Sequence, residues 1–354
     1  MNALDFLTEA TRQGASDLFI VAGRPLSFKK GGKIMDFDTV RIMPDQTESL
    51  IREIYQLAAG RSIENFLQKG DDDFSFAVPG LSRFRISAYM QRGSMAAVIR
   101  VITFELPDAA SLGIPKAVTD LGNLSHGLVL VTGPAGSGKS TTLACIIDAI
   151  NETYEKHIIT LEDPLEFLHR HKKSIVSQRE ISSDTRSYVA ALRASLRQSP
   201  DVILLGEMRD LETISIAMTA AETGHLVLST LHTQGAANTI DRVIDVFPPD
   251  QQRQISVQLA SVLQAVVSQQ LLPNIDDIGL LPAFEMMTVS PAIRNMIREN
   301  KIHQIDGLIY SSASDTMFSM DVSLQKLCAQ GKISAAEALA YASNPEMLRR
   351  KLPL

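Results

Sequence analysis

Cysteine is scarce in this sequence: Cys145 and Cys328 are the only two among 354 residues, and they lie far apart. Without a Cys-x-x-Cys pair, the chain cannot build a zinc module of the cysteine-rich kind. A structural disulfide is not expected either, because the compartment indicated by the N-terminal residues keeps thiols reduced. The cysteine content therefore excludes a cysteine-rich zinc protein.

Long apolar segments are also absent. No run approaches the roughly 18 residues that a membrane-spanning helix needs. Residues 1–10 carry Asp5 and Glu9 and lack the basic start and apolar block of a secretory signal. With 45% hydrophobic and 21% charged residues, the composition is that of a globular protein. We therefore expect a cytoplasmic protein, and the length predicts two domains.

An excess of basic residues is missing as well. There are 34 Lys and Arg against 40 Asp and Glu, which gives a net charge of −6. Proteins that bind nucleic acid through its phosphates usually carry a basic excess or stripe. Nucleic acid is therefore not expected as a partner, although a basic pore confined to one region would escape this count.

Residues 1–105 have the pattern of a small mixed α/β domain. Residues 45–69 have helical spacing. Four runs have the pattern of strands, namely 17–22, 74–78, 83–90 and 96–104. In the third run, apolar side chains alternate with Arg83 and Arg85, so one face of that strand is apolar and the other presents two arginines.

Residues 127–354 have the pattern of a second α/β domain, separated from the first by a linker over 106–126. Short apolar runs alternate there with helical stretches, which is typical of βαβ units and a largely parallel sheet. The runs are Leu128–Thr132, Ile158–Leu161, Val202–Leu205 and Leu226–Thr230. Beyond residue 250 the pattern is mostly helical, so we expect a helical C-terminal part.

The segment after the first of these runs matches the phosphate-loop pattern G-x-x-x-x-G-K-[ST]. Its residues are Gly133, Pro134, Ala135, Gly136, Ser137, Gly138, Lys139 and Ser140. Glycines let successive N–H groups point at an anion, and the N-terminus of the following helix adds positive charge. The pattern predicts ATP binding, with Lys139 on the β- and γ-phosphates, Ser140 on Mg²⁺ and Thr141 near the α-phosphate.

Each of the other three runs ends in a reactive group: Glu162-Asp163, Glu207 or His232. The carboxyl ends of parallel strands meet at one edge of a sheet, where ligands bind. We expect Glu207 to act as general base by orienting the water that attacks the γ-phosphate. Glu162 and Asp163 are expected to hold Mg²⁺ directly or through water, and His232 to contact the γ-phosphate.

Arginine at the γ-phosphate accelerates phosphoryl transfer by about 10³–10⁵-fold, but no arginine adjoins the loop in sequence. Arg83 and Arg100, on the small domain, are candidates to serve a neighbouring subunit, and a surface salt-bridge role is at least as strong an alternative for each. Arg209 is a weaker candidate within the same chain. For His225, a packing or capping role stays as open as a role in the site.

Four ordered segments resemble the type II/type IV secretion ATPases. Residues 133–142, 158–167, 200–214 and 220–233 resemble that family's Walker A, Asp box, Walker B and His box. The resemblance covers nearly the whole chain, although Phe19 stands where the family commonly has histidine. It implies a PAS-like N-terminal domain, a RecA-like ATPase domain and a homohexamer that binds ATP between domains. It also implies a membrane platform protein as partner, at the inner face of the cytoplasmic membrane.

Residues 292–299 resemble a signature of the family's pilus-retraction members. Extension and secretion members usually carry a tetracysteine zinc module, which two cysteines cannot supply. The resemblance therefore implies ATP hydrolysis coupled to pilus retraction, with a second pilus ATPase as a further conceivable partner. Arg294 and Arg298, which share a helix face, are expected to contact the partner. Pilus extension, type II secretion, nucleic-acid translocation and a regulatory subunit without hydrolysis are the alternatives.

Overall fold

The computed structural model describes residues 1–102, 106–275, 279–312 and 314–352. Contacts between residues divide the chain into two compact units. The first unit comprises Met1–Glu105 and Glu166–Leu168, and the second comprises Leu106–Leu165 and His169–Leu354. Each unit contains a β-sheet of its own.

Over its described residues, the first unit contains a six-stranded antiparallel sheet and three helices. The strands are β1 (Asp17–Ile20), β2 (Ser27–Lys30), β3 (Lys33–Asp36), β4 (Asp71–Val78), β5 (Ser82–Gln91) and β6 (Ser94–Ile102). They lie in the order β3-β2-β1-β6-β5-β4, each antiparallel to its neighbours. The helices are α1 (Ala3–Arg12), α2 (Pro44–Leu57) and α3 (Glu64–Lys69). Tyr55, Phe66 and Phe84 are fully buried in the core between them.

The alternation predicted for residues 83–90 is present in β5. Phe84 and Ile86 are buried, whereas Arg85 is exposed. The neighbouring strand β6 covers the predicted run 96–104 as far as Ile102, and the last two residues of that run lie outside the described residues.

One helix prediction in the first unit is wrong. Residues 45–69 do not form one helical stretch, because α2 ends at Leu57 and α3 begins at Glu64. Between them, Ala59 and Gly60 have φ values of 55° and 69°. A right-handed helix cannot continue through residues with positive φ.

The second unit contains a seven-stranded, largely parallel sheet. The strands are β7 (Gly127–Thr132), β8 (His157–Glu162), β9 (Ile175–Glu180), β10 (Val202–Leu205), β11 (Leu226–Leu231), β12 (Leu263–Pro273) and β13 (Leu280–Thr288). Their order is β13-β12-β7-β11-β10-β8-β9, and only β13 is antiparallel to its neighbour among the described strands. Successive residues of β7 alternate between two buried clusters, so both faces of the sheet are covered.

Helices connect and follow these strands. They are α4 (Lys116–Thr119), α5 (Lys139–Thr153), α6 (Tyr188–Ser195), α7 (Leu211–Glu222), α8 (Ala236–Asp245), α9 (Pro249–Val262), α10 (Pro291–Arg298), α11 (Ile305–Ser311), α12 (Met320–Ala329), α13 (Ala335–Ala340) and α14 (Pro345–Arg349). The helical C-terminal part is confirmed, but it begins later than predicted, because β12 and β13 lie beyond residue 250. A short apolar run fits a buried strand as well as a helix. Among the described residues, none of the helices has both the length and the apolar character needed to cross a bilayer.

A buried carboxylate connects two helix starts in the second unit. Glu285 of β13 accepts hydrogen bonds from the backbone N–H of Ala236, at 2.9 Å, and of Met320, at 3.4 Å. These residues begin α8 and α12, and helix N-termini favour a negative charge. Burial, the dominant effect, nevertheless raises the pKa of Glu285. This one side chain therefore ties the segment after β11 to the C-terminal helices.

The loop between β8 and β9 contains a partly buried histidine, His169. Burial lowers the pKa of His169 to about 4, from 6.5 for the free side chain. Between these values the unfolded chain binds more protons than the folded chain, so this contribution to stability falls as pH drops from 6.5 towards 4. We expect the denaturant midpoint of the parent to decrease over this range more steeply than that of His169→Asn. The matched control is His126→Asn, at an exposed position, which should keep the parental slope. Equal slopes for the parent and His169→Asn would contradict this explanation.

Candidate functional site

Four neighbouring strands of the second unit end at one edge of its sheet. β8, β10, β11 and β7 are adjacent and parallel, and their residues pair in register up to these ends. The groups at the four ends are Glu162, Glu207, His232 and the phosphate loop that begins at Gly133. The polar groups that follow the four apolar runs in sequence therefore lie along one edge of the sheet.

The phosphate loop is folded around the ammonium group of Lys139. Lys139 Nζ donates hydrogen bonds to the carbonyl oxygens of Gly133 and Pro134, both at 2.8 Å. Helix α5 begins at Lys139, immediately after Gly138, whose φ is 85°. Within the described ranges, the buried Ser137 Oγ has no hydrogen-bond partner. A buried hydroxyl without a partner costs free energy, so the loop contains a polar group suited to a ligand.

Glu207 and His232 lie together at the edge. Glu207 Oε2 is 3.4 Å from His232 Nε2 and 2.6 Å from Arg209 Nε. The Glu207 side chain is 17% exposed, whereas that of Arg209 is 73% exposed. Glu207, the predicted base, therefore contacts both His232 and Arg209 of its own chain.

Tyr188, at the start of α6, was not predicted as part of this cluster. Burial raises the pKa of its hydroxyl, and the negative charges of Glu207, Asp163 and Glu162 raise it further. A Cβ atom at Gly206 would lie 2.8 Å from Tyr188 Oη, so the glycine allows the phenol to approach the strand ends. The sequence gives no signal for this contact beyond a tyrosine after the N-cap residue Ser187.

The two carboxylates after β8 differ in their surroundings. Glu162 Oε1 accepts a hydrogen bond from Gln178 Nε2 at 3.5 Å, and Asp163 is exposed. Over the described residues, no three His, Cys, Asp or Glu side chains converge as a metal-binding group. Mg²⁺ needs only one or two carboxylates besides water and phosphate oxygens, so a hydroxyl and two carboxylates are donors of the right chemistry, and a magnesium role for Ser140, Glu162 and Asp163 stays a prediction.

A cavity of about 320 Å³ adjoins the phosphate loop within the second unit. It lies between residues 110–114, the start of α5 and the ends of β12 and β13. Much of its wall is apolar, formed by Leu112, Ile114, Leu271, Leu281 and Pro282. An apolar cleft beside a phosphate site suits a planar base. The sequence indicated only a linker over 106–126 and gave no sign of this cavity.

Gln269 of β12 is a second residue missed from the sequence. Its side chain is 3% exposed, and its Oε1 accepts a hydrogen bond from Thr142 Oγ1 at 2.7 Å. A Cβ atom at Gly133 would overlap the carbonyl oxygen of Gln269. The contact joins residues more than a hundred positions apart, so no local pattern predicts it.

The structure gives the two arginines of α10 different environments. Arg294 donates hydrogen bonds through Nη1 to the carbonyl oxygens of Ala260 and Ser261, the latter at 3.0 Å, and through Nη2 to Gln264 Oε1 at 3.2 Å. Its guanidinium therefore caps the end of α9 and does not face outward as expected. Arg298 is exposed, as predicted for a residue that contacts a partner.

We expect Arg294→Ala to lower the free energy of unfolding by about 1–3 kcal/mol, because the carbonyl groups at the end of α9 lose a charged donor. Arg298→Ala is the matched control at an exposed position and should change stability by less than about 0.5 kcal/mol. Urea denaturation of both variants measures the difference. Equal losses in the two variants would contradict the capping role of Arg294.

The remaining candidate residues belong to other elements. Arg83 and Arg100 belong to β5 and β6 of the first unit, and Arg100 Nε donates to Asp17 Oδ1 at 3.1 Å. His225 precedes β11, at the opposite end of that strand from His232. Its Nδ1 lies 2.9 Å from the carbonyl oxygen of Ala220, near the end of α7. This is the capping environment that the sequence left as one alternative for His225.

A phosphate loop at the carboxyl edge of a parallel sheet, with a carboxylate and an imidazole beside it, defines a P-loop nucleotide-binding protein. The chain belongs to the Type II/IV secretion system protein family, which matches residues 3–281. The resemblance indicated by the four sequence motifs is thereby confirmed.

Relatives and solved structures agree with this family. The type IV pilus retraction ATPase PilT of Pseudomonas aeruginosa is 44% identical over 346 residues, 98% of this chain and 99% of the relative. A twitching motility protein of Neisseria gonorrhoeae is 47% identical over 283 residues, 80% of this chain and 76% of the relative. A crystal structure of the pilus retraction motor PilT with bound ADP has a TM-score of 0.89 and 45% identity, covering 99% of both chains. The Legionella pneumophila ATPase DotB has a TM-score of 0.80 at 26% identity, covering 96% of this chain and 95% of DotB.

Proposed function

We propose that this protein is an ATPase motor that hydrolyses ATP to ADP and phosphate to power retraction of type IV pili, and thereby twitching motility. The observation that carries the proposal is the single edge where the phosphate loop, Glu207 and His232 meet. Full-length similarity to a pilus retraction ATPase supports retraction, rather than extension, as the process that is powered.

The nucleotide is proposed to bind along the phosphate loop. The triphosphate takes N–H groups of the loop after Pro134 and the hydroxyl of Ser137, while the base enters the cavity beside Thr141. Lys139 exchanges its bonds to the loop carbonyl oxygens for the β- and γ-phosphates. Mg²⁺, held by Ser140 and through water by Glu162 and Asp163, would neutralise phosphate charge.

Glu207 is proposed as the general base. It orients a water molecule whose oxygen bonds to the γ-phosphorus while the bond from that phosphorus to the bridging oxygen breaks. The water proton passes to the Glu207 carboxylate, and ADP and phosphate leave. His232, 3.4 Å from the same carboxylate, is suited to donate to a γ-phosphate oxygen and to respond when that group is lost. Arg209 holds the carboxylate in place, and Arg83 or Arg100 would supply the additional positive charge from a neighbouring copy.

Assembly and partners are part of the same proposal. The protein works as a homohexamer at the inner face of the cytoplasmic membrane, where it acts on a pilus platform protein. Exposed Arg298 is the proposed contact to that partner, since Arg294 is engaged at the end of α9. A second pilus ATPase is a further candidate partner.

The test combines turnover with motility. Purified protein is expected to release phosphate from MgATP, and cells without the gene are expected to keep their pili but lose twitching. Arg298→Ala should hydrolyse ATP at the parental rate and fail to restore twitching. Loss of pili in the deletion strain would favour extension, and tight salt-dependent DNA binding would favour a translocase. Background turnover with and without Mg²⁺ would contradict the ATPase assignment itself.

A further inference from the structure

We infer that Gln269 is a positioning residue that holds the phosphate loop in its anion-binding conformation and so sets the affinity for the nucleotide. The inference rests on the proposed function and extends it to a residue of β12 that belongs to none of the four motifs. Three contacts carry it, at the start of the loop, at its end and one turn into α5.

The first contact is made by the backbone of Gln269. The paired part of β7 and β12 ends at Thr132 and Ser268, so Gln269 comes directly beside Gly133. A Cβ atom at Gly133 would overlap the carbonyl oxygen of Gln269. The first glycine of the loop therefore lies flat against β12.

The second and third contacts are made by the side-chain amide. A Cβ atom at Gly138 would lie 2.9 Å from Gln269 Nε2, so the amide also fills the space beside the last glycine of the loop. Its oxygen accepts the hydrogen bond from Thr142 Oγ1 at 2.7 Å. Thr142 and Gln269 are 0% and 3% exposed, so removing either partner leaves the polar group of the other buried without this bond.

One residue therefore touches both ends of the loop and the first turn of the helix that follows it. Gln269 also lines the cavity of about 320 Å³ proposed for the base. Its amide thus lies between the two parts of the nucleotide site. Because binding energy depends on loop N–H groups already pointing at the phosphates, loosening this contact should weaken binding more than it slows the chemical step.

The first measurement separates affinity from turnover. Gln269→Leu is expected to raise the KM for MgATP and the Kd for MgADP by about tenfold, with kcat within about twofold of the parent. Gln269→Glu keeps an oxygen for Thr142 but replaces the amide nitrogen by an anionic oxygen beside Gly138, so it should weaken ADP binding further. Unchanged KM and Kd in Gln269→Leu, or a loss confined to kcat, would overturn the inference.

The second measurement tests the hydrogen bond from its other side. Thr142→Val is expected to weaken ADP binding about as much as Gln269→Leu, and Thr142→Ser, which keeps the hydroxyl, should largely restore it. The double variant of Gln269→Leu with Thr142→Val should be no weaker than either single one, because both remove the same contact. Additive losses would overturn the inference, as would equal binding by the valine and serine variants at position 142.

Thermal unfolding without nucleotide checks that each variant is folded, and the two Thr142 variants keep the inference testable where Gln269→Leu does not fold. ADP binding needs no hydrolysis. An inactive parent that binds ADP would therefore contradict the proposed function, whereas parental ADP affinity in the variants would contradict only the role of Gln269.

Discussion

Glu207→Gln is expected to lower kcat for ATP hydrolysis by about 10²–10⁴-fold, because the amide can hold a water molecule but cannot accept its proton. The affinity for ATP should stay within about twofold of the parent, since Glu207 follows β10 whereas the phosphates are proposed to bind the loop after β7. Phosphate release under saturating MgATP measures the first effect, and binding of a non-hydrolysed analogue measures the second.

The matched control is Glu212→Gln on α7. Glu212 is an exposed carboxylate in the first turn of α7 that pairs with Arg193 at 2.6 Å. This variant should keep parental turnover, which separates the loss of a base from the loss of a negative charge. Turnover of Glu207→Gln at the parental rate would show that another group activates the water.

Gly133→Ala is expected to weaken ADP binding by about 10- to 100-fold, because the new methyl group must displace the backbone of β12 or the loop itself. The Gln269 carbonyl oxygen occupies the required position, and Ser137 Oγ would lie 2.7 Å from the added atom. Backbone atoms of a buried strand cannot turn aside as a flexible side chain does. Calorimetric titration with MgADP measures the loss.

Gly136→Ala is the control from the same loop. Gly136 also has positive φ, 77°, but its added methyl group meets no atom within 4 Å. Alanine at position 136 therefore carries a left-handed strain of about 1–2 kcal/mol without the overlap, whereas Gly133 has a φ of 143° and meets β12 as well. Binding should consequently be weaker in Gly133→Ala than in Gly136→Ala. Equal affinities would show that strain alone, and not the approach of β12, requires glycine at position 133.

The strand ends could be predicted because two local signals coincide there. Val202–Leu205 is a short apolar run that the structure buries completely, and a carboxylate follows it after one glycine. A strand buried on both faces needs such a run, and the polar residue after it marks where the strand leaves the core. The phosphate loop is likewise a local pattern, since its glycines and lysine are consecutive in sequence.

Other features depend on contacts that no local pattern contains. Gln269 and Tyr188 reach the site through the packing of β12 and α6, and the sequence does not show which strand will lie beside the loop. The strands after residue 250 were missed because a short apolar run is equally compatible with a buried helix. Arg294 and Arg298 have the spacing of a shared helix face, but the sequence does not show that Arg294 is the one that caps the end of α9.

The carboxylate of Glu285 gives the second unit an internal mechanical constraint. Because it bonds the first N–H groups of both α8 and α12, a displacement of α8 that preserves both bonds must move α12 with it. The segment that leads into α8 starts at His232, beside Glu207. Nucleotide state and the position of the C-terminal helices would then be linked thermodynamically, and linkage is reciprocal. A load that displaces those helices would change the affinity for ATP. By the same factor, ATP binding would change the affinity of the helices for the load.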